Sequence, residues 1–400
     1  MNQSLSVALN QQKDGTTENP TATKQQQQIK QLIVPALEML LALPLGLALS
    51  LFNIGGIAWI FGGIASGVAV LQTSRIFYNY SPKPNRTTRK IGLVLAGLTI
   101  GASNAHTNLA NVAAGVPVFI FLTLFLLLCG SCIGYIYSRL SKTNLLTAML
   151  ATAPGGVGIM AAIAADYDKN VTLVALVQAL RVTSVVFLIP LSARVSSSAC
   201  FQPQALSIKD GLFSFEPSHL GLLSLALLVT GLAVYLATLL KIPAAPFFAA
   251  LLVGMAFNPV LDSLPFVGDI NFTPPLAIKL LGQILLGITI GEYWGDKSTI
   301  RKQTIGYALM SVAMTLAAGA IAALLAMQLT SWDWLTCLLV TAPGGSAEII
   351  LVALTLNHNV EIVTAGHVVR LIAINISLPI WVFLFRHLDM KRTEGLLPEK

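Results

Sequence analysis

The chain has 400 residues, of which 55% are hydrophobic and only 10% charged, with a mean hydropathy of +0.76. An ordinary soluble domain carries about 25% charged residues, so a water-soluble globular protein is excluded. The 24 Lys and Arg residues sit between apolar runs, so the formal charge of +7 reads as a topology signal and not as a nucleic-acid surface.

Residues 1–31 are polar and Gln-rich, with a run from Gln25 to Gln28, and are expected to form a disordered tail. The first apolar run starts near Leu32 without an obvious small-residue cleavage site, and reads as a first span and not a signal peptide. Apolar segments bounded by charge or turn residues predict helices near 32–51, 54–72, 91–112, 115–138, 144–165 and 170–192. A second set follows near 218–240, 243–260, 274–292, 304–328, 334–356 and 360–386. No Asp, Glu, Lys or Arg occurs between Lys90 and Arg139 or from Gln303 to Trp332, which suits spans of about 20 residues. The expected organisation is a membrane repeat over 32–195, a polar loop over 196–217, a second repeat over 218–388 and a tail over 389–400.

The two sets are copies of one unit. Thr152–Pro190 aligns without gaps on Thr341–Pro379: Thr152-Ala153-Pro154-Gly155-Gly156 recurs as Thr341-Ala342-Pro343-Gly344-Gly345, Asn170-Val171 as Asn359-Val360, Arg181 as Arg370, and Pro190 as Pro379. Upstream, Gly97-Leu98-Thr99-Ile100-Gly101 matches Gly287-Ile288-Thr289-Ile290-Gly291. The loop after the second helix is basic in the first copy (Arg75, Lys83, Arg86, Arg89, Lys90) and carries Asp262 and Asp269 in the second. The next loop has the opposite bias, uncharged over 104–115 but with Lys297, Arg301 and Lys302 in its counterpart. Swapped charge on homologous loops favours inverted copies, which requires one segment per half not to cross fully. Against it, both copies end in basic segments (Arg194 and Lys209; Arg386, Lys391 and Arg392), and six full spans per copy would make them parallel.

The repeated Ala-Pro-Gly-Gly falls well inside the apolar segments. Proline costs about 3 kcal/mol in a helix interior and each glycine about 1 kcal/mol, so both helices are expected to open there. In lipid, opened backbone survives only against protein or a water-filled cavity, and interrupted segments at matching places in two repeats point to a transporter's substrate site. Pro154, Gly155, Gly156, Pro343, Gly344 and Gly345 are therefore candidate substrate-binding residues, with a packing kink as the alternative. Arg181 and Arg370 each lie 11 residues past their Asn-Val pair, about 16 Å along a helix and near mid-membrane. Each either receives an anionic group, stabilises carbonyls freed at the break, or forms a structural ion pair. Glu348 breaks the symmetry, its counterpart being Ile159; it is a candidate partner for Arg370, which would leave Arg181 the freer cation, or a residue that couples proton or cation movement to solute. Gln178 and His367 occupy equivalent places one turn before the arginines and are candidate polar lining.

Other features read as structural. Gly63/Gly67, Gly97/Gly101 and Gly287/Gly291 have the spacing of close helix contacts. Asn104, His106, Asn108 and Asn111 suit an interfacial cap. The four cysteines, including Cys129 and Cys132 three apart, read as packing residues. No pair of the five histidines has ligand spacing on one helix, so neither metal nor cofactor is expected.

The duplicated Ala-Pro-Gly-Gly with its downstream Arg and Pro resembles the membrane family called AbrB, also catalogued as ammonia monooxygenase-like, over roughly residues 35–386. That resemblance implies an all-α polytopic membrane protein of two repeats, five to six helices each, carrier-like, with a panel of outer helices and a core holding the breaks. The chain is unlike the small soluble transition-state regulator of the same name. The leading expectation is a secondary transporter of a small anionic solute, multi-pass in the plasma (inner) membrane, without enzymatic activity. The alternative is a membrane protein that affects gene expression through a partner. The bilayer, the solute, a coupling ion (sodium or proton) and a homo-oligomeric mate are the partners considered; nucleic acid is not.

Overall fold

The computed structural model describes residues 20–52, 54–78, 84–107, 109–196, 217–263, 272–294 and 302–394. Among them fourteen helices follow one another and no strand occurs. The first half contains α1 (Pro20–Ser50), α2 (Ile57–Tyr78), α3 (Arg86–Ser103), α4 (Leu109–Ser141), α5 (Leu145–Thr152), α6 (Val157–Asp166) and α7 (Val171–Ser196). The second contains α8 (Pro217–Leu239), α9 (Ala245–Asp262), α10 (Leu276–Glu292), α11 (Lys302–Leu329), α12 (Trp334–Thr341), α13 (Ser346–Thr355) and α14 (Val360–Glu394). Helix α1 starts at Pro20, so the last twelve residues of the expected polar tail are helical. Residues 1–19, most of the inter-repeat loop and residues 395–400 lie outside the described residues.

Each Ala-Pro-Gly-Gly stops a helix: α5 ends at Thr152 and α6 resumes at Val157, while α12 ends at Thr341 and α13 resumes at Ser346. Neither segment then crosses. Asp389, near the end of α14, accepts a hydrogen bond from the amide of Leu145 where the first segment enters (3.1 Å) and lies 3.9 Å from Lys169 where it leaves. Asp333 at the entrance of the second segment meets His358 (2.7 Å) and Asn359 (3.2 Å) at its exit. Both segments are re-entrant hairpins, α5–α6 and α12–α13, with the breaks at their tips. Of the other ten helices, eight are long and apolar enough to cross a membrane, and the remaining two, α3 and α10 with 18 and 17 residues, pack among them as the fifth helix of each half.

Five crossings per half is an odd number, so the two copies have opposite orientation. The packing says so directly. Gly92 of α3 lies beside Leu285 and Leu286 of α10, whereas Gly282 of α10 lies beside Leu95 and Ala96 of α3, so these homologous helices run antiparallel. Most basic residues then gather on one face: Arg75, Arg86, Arg89, Lys90, Arg139, Lys142, Lys169, Lys241 and Arg386 all lie at helix ends there, with Asp166, Asp168 and Asp389, while Lys279, Asp262 and Asp333 lie at the other. The positive-inside bias marks the basic face as cytoplasmic. Arg194 at the end of α7 and Arg386 at the end of α14 fall on opposite faces, so they are no argument for parallel copies.

Helices α1–α3 and α8–α10 form a panel. At its centre α2 packs on α10 and α3 on α9, across the glycines singled out by spacing: a Cβ at Gly63 would lie 3.0 Å from the Cα of Gly287, and one at Gly101 2.8 Å from the Cα of Gly254. Any side chain there would force the backbones apart. The core is built from α4, α7, α11, α14 and the hairpins, with α4 against α14 and α7 against α11 joining the two copies. Asn104 caps α3, its amide donating to the Ile100 carbonyl (2.8 Å) and to Thr364 of α14 (3.3 Å); His106 is exposed, and Asn108 lies outside the described residues. Cys129, Cys132 and Cys337 are free thiols.

Asp333 is also the N-cap of α12, accepting from the amides of Leu335 (3.1 Å) and Thr336 (3.3 Å). Asp333→Ala should lower stability by about 1 kcal/mol, read as a fall in the thermal midpoint of the detergent-solubilised protein. Partial burial acts to raise the pKa of this carboxyl, but hydrogen bonds from Thr336 and His358 outweigh it and hold it below its ordinary value. A carboxyl depressed on folding contributes fully above its unfolded pKa and loses that contribution as pH falls through the folded one. The gap between wild type and Asp333→Ala should therefore close only below about pH 4.

Candidate functional site

The site grows from the two hairpin tips. In each, the threonine before Ala-Pro-Gly-Gly is tied to a glycine of the preceding long helix: Thr152 Oγ1 donates to the Gly130 carbonyl on α4 (3.1 Å), and Thr341 Oγ1 to the Gly319 carbonyl on α11 (3.0 Å). Pro154 and Pro343 pack on those same glycines, with ring Cδ atoms 3.2 and 3.0 Å from where a Cβ would stand. The prolines thus dock the tips on the core.

Ending α5 and α12 in mid-membrane frees their last carbonyls, and each arginine takes them up. Arg181 of α7 donates from Nη1 to Thr152 (3.1 Å) and Ala153 (2.9 Å) and from Nη2 to Gly155 (3.1 Å). Its Nη2 also donates to Gln178 Oε1 at 2.6 Å, and Gln178 Nε2 donates to the Leu150 and Ala153 carbonyls. In the second copy Arg370 donates to Ala342 (2.8 Å) and to His367 Nδ1 (2.6 Å). With Nδ1 accepting, the His367 proton sits on Nε2 and is donated to the Leu339 carbonyl (2.9 Å), so the imidazole is neutral. Gln178 and His367 are equivalent bridges between arginine and broken helix. A cation at the carboxyl end of a half-helix also meets the negative end of its dipole.

The opposite ends of the breaks behave differently. The N-cap residues of α6 and α13 are Gly156 and Gly345, neither of which supplies a side-chain cap. These tips line a cavity of ≈ 80 Å³ between panel and core, together with Arg89 and Leu93 of α3, Phe247 of α9, Thr289 and Tyr293 at the end of α10, and Arg370 and Asn375 of α14. That space holds several water molecules or a small solute. Arg89, Ala244 and Tyr293 stand at the basic-face ends of their helices, so the cavity extends from the tips toward that face.

Of the residues singled out in the sequence, Gly155, Gly156, Gly344, Gly345, Glu348 and Arg370 line this cavity. Pro154, Pro343, Arg181, Gln178 and His367 do not; they hold the tips in shape. The expected Glu348–Arg370 pair is absent, because Arg370 is turned to the Ala342 carbonyl and His367 while the Glu348 carboxylate lies back over Gly345 at the start of α13. Nor is Arg181 the freer cation: it is 1% exposed and makes four hydrogen bonds. That place belongs to Arg89, read in the sequence only as part of a basic loop. Its guanidinium lies against Gly156 and Gly158 of the first hairpin, makes no hydrogen bond or close ion pair within the described residues, and acts through its charge on Glu348 and Tyr293. Its signal lay in the repeat, where Arg89 aligns with Lys279 in the register of Gly97 and Gly287.

Residues 59–386 match the family model described as "Transition state regulatory protein AbrB". A Bacillus subtilis (strain 168) protein named "Uncharacterized protein YhjN" is 28% identical over 362 residues, 87% of this chain and 92% of that one. An Escherichia coli (strain K12) protein named "Putative regulator AbrB" is 26% identical over 289 residues, 71% of this chain and 79% of that one. The match spans the panel except α1, both hairpins and both arginine caps, and on that extent this chain belongs to the AbrB family.

Proposed function

We propose that the protein is a secondary transporter of a small anionic solute, held between the two hairpin tips and carried across the plasma (inner) membrane without chemical conversion. The observation that carries this reading is the cavity itself: two broken, inverted segments meet across it, and the Arg89 guanidinium, which makes no hydrogen bond to a described residue, lines it. A planar fork of N–H donors suits a carboxylate or phosphate. The start of α6, where Gly156 supplies no side-chain cap, favours the same sign of charge. Glu348, which lines the same cavity within reach of the Arg89 charge, is the coupling residue in this reading. Its carboxylate takes up a proton or a sodium ion, so that a solute anion and a cation share the cavity.

Uptake into proteoliposomes, screened over small carboxylates and phosphates with and without sodium and pH gradients, tests the proposal. Glu348→Gln keeps the shape and removes the charge; gradient-driven accumulation should fall at least tenfold while solute exchange between equal concentrations continues. Full accumulation by this variant would remove Glu348 from coupling. A regulatory role through a partner has behind it only the printed names of the family model and of one relative.

A further inference from the structure

The register that relates Gly97 to Gly287 extends over the whole of α3 and α10, which start at equivalent positions, Arg86 and Leu276. It pairs Arg89 with Lys279, Gly92 with Gly282, Leu93 with Gln283 and Thr99 with Thr289. Because the copies are inverted, members of a pair lie on opposite sides of the membrane midplane. Arg89 and Leu93, one turn apart, line the cavity from the basic face. Lys279 and Gln283, also one turn apart, stand at equivalent depth from the other face, where the way is shut.

What shuts it is the base of the second hairpin. A Cβ placed on Gly56, at the entrance to α2, would lie 2.7 Å from Thr355 Cγ2 at the end of α13 and 3.2 Å from Gln283 Nε2. Helix α13 packs on α3, and Asn104 reaches Thr364 on the same side. Under this closure two polar side chains are stranded. Gln283 is 4% exposed and its Oε1 has no hydrogen-bond partner; Thr99 is 1% exposed and its Oγ1 has none. Buried unpaired polar atoms are costly and uncommon. Their repeat partners, Leu93 and Thr289, are cavity-lining residues in the present state. Polar groups that are stranded when one face is closed and equivalent to cavity residues when the other is open are those expected to meet water and solute after the conformational change.

We propose that Lys279 and Gln283 line the solute site when it opens to the face opposite the basic one, with Lys279 taking the anion-facing place that Arg89 holds here. The solute is thus met by a different cation on each side, an arginine at the basic face and a lysine at the other. This rests on the carrier reading, and the test separates the two. In a chain whose Cys129, Cys132, Cys200 and Cys337 are replaced by serine, Gln283→Cys and, as a second variant, Lys279→Cys are exposed to a membrane-impermeant methanethiosulfonate from the non-basic face. Site-resolved mass spectrometry reads the modification. Ser263→Cys, at the exposed end of α9, sets the accessible rate, and Leu93→Cys, treated from the basic face, reports the cavity described above. Labelling at position 283 or 279 is expected, falling at least tenfold when Gly56→Cys and Thr355→Cys are oxidised to a disulfide in the same chain and returning on reduction. If Leu93→Cys reacts while both Gln283→Cys and Lys279→Cys stay inert, the alternate lining is wrong and the cavity reading stands. If Leu93→Cys is inert from the basic face, the cavity reading falls with it.

Discussion

Arg181→Gln should empty the membrane of folded protein. The arginine satisfies the carbonyls of Thr152, Ala153 and Gly155, all released because α5 stops in mid-membrane, and it anchors Gln178, which holds Leu150. A buried acceptor left without a donor costs about 1–3 kcal/mol. Glutamine is too short to reach three carbonyls, so the loss is on the order of 3–5 kcal/mol, a large share of the stability of a typical domain. The measurement is the monodisperse fraction after detergent extraction together with the thermal midpoint. Arg181→Lys should recover part of it, since an ammonium keeps the charge and reaches one or two carbonyls. A stable, abundant Arg181→Gln that has lost only transport would mean that the guanidinium serves the solute and that the capping bonds are incidental.

Arg89→Gln should do the reverse. The side chain is half-buried and makes no hydrogen bond to the described residues, so its removal should shift stability by no more than about 0.5 kcal/mol. A charge-assisted hydrogen bond to the solute is worth about 1.5–3 kcal/mol, so the apparent solute affinity should fall by about 10- to 150-fold. Arg89→Lys should fall between the two, because it keeps the charge and loses the planar fork. The readout is the concentration dependence of uptake for a solute found in the vesicle screen, alongside the thermal midpoint. Unchanged uptake by Arg89→Gln would take the anion away from the tip of the first hairpin. Set together, the two substitutions separate an arginine that builds the site from an arginine that uses it.

The contrast also marks how far the residues could be read without a fold. Arg181 and Arg370 were conspicuous because they are charges in apolar segments at matching places, and the three roles open to each were all compatible with that fact. Choosing among them needed to know which way α7 and α14 turn the guanidinium. His367 and Gln178 differ in chemistry yet do one job, which no comparison of side-chain types would suggest. Arg89 was hidden for the opposite reason: a basic residue at the end of a span is ordinary topology, and only the reach of a long side chain past Gly156 and Gly158, where no Cβ intervenes, brings it to the tip.

The sequence by itself determined that the chain lives in a bilayer, that it is duplicated and that each copy is broken at Ala-Pro-Gly-Gly. These follow from local chemistry: apolar length, repeated order, and the inability of Pro and Gly to continue a helix. It also held the evidence for inversion, in loops whose charge swaps between copies, but left it opposed by the basic segment that ends each half. Tertiary structure decided that question, because whether a broken segment crosses or returns depends on what its two ends touch. Asp389 joins Leu145 to Lys169, and Asp333 joins His358 and Asn359, so both segments return, five crossings remain in each half, and the copies must face opposite ways. The same long-range contacts decided the site. Glycine tips from two hairpins 189 residues apart in register and an arginine from the panel share one cavity only because inverted copies bring their breaks to a common depth, and no local pattern carries that distance.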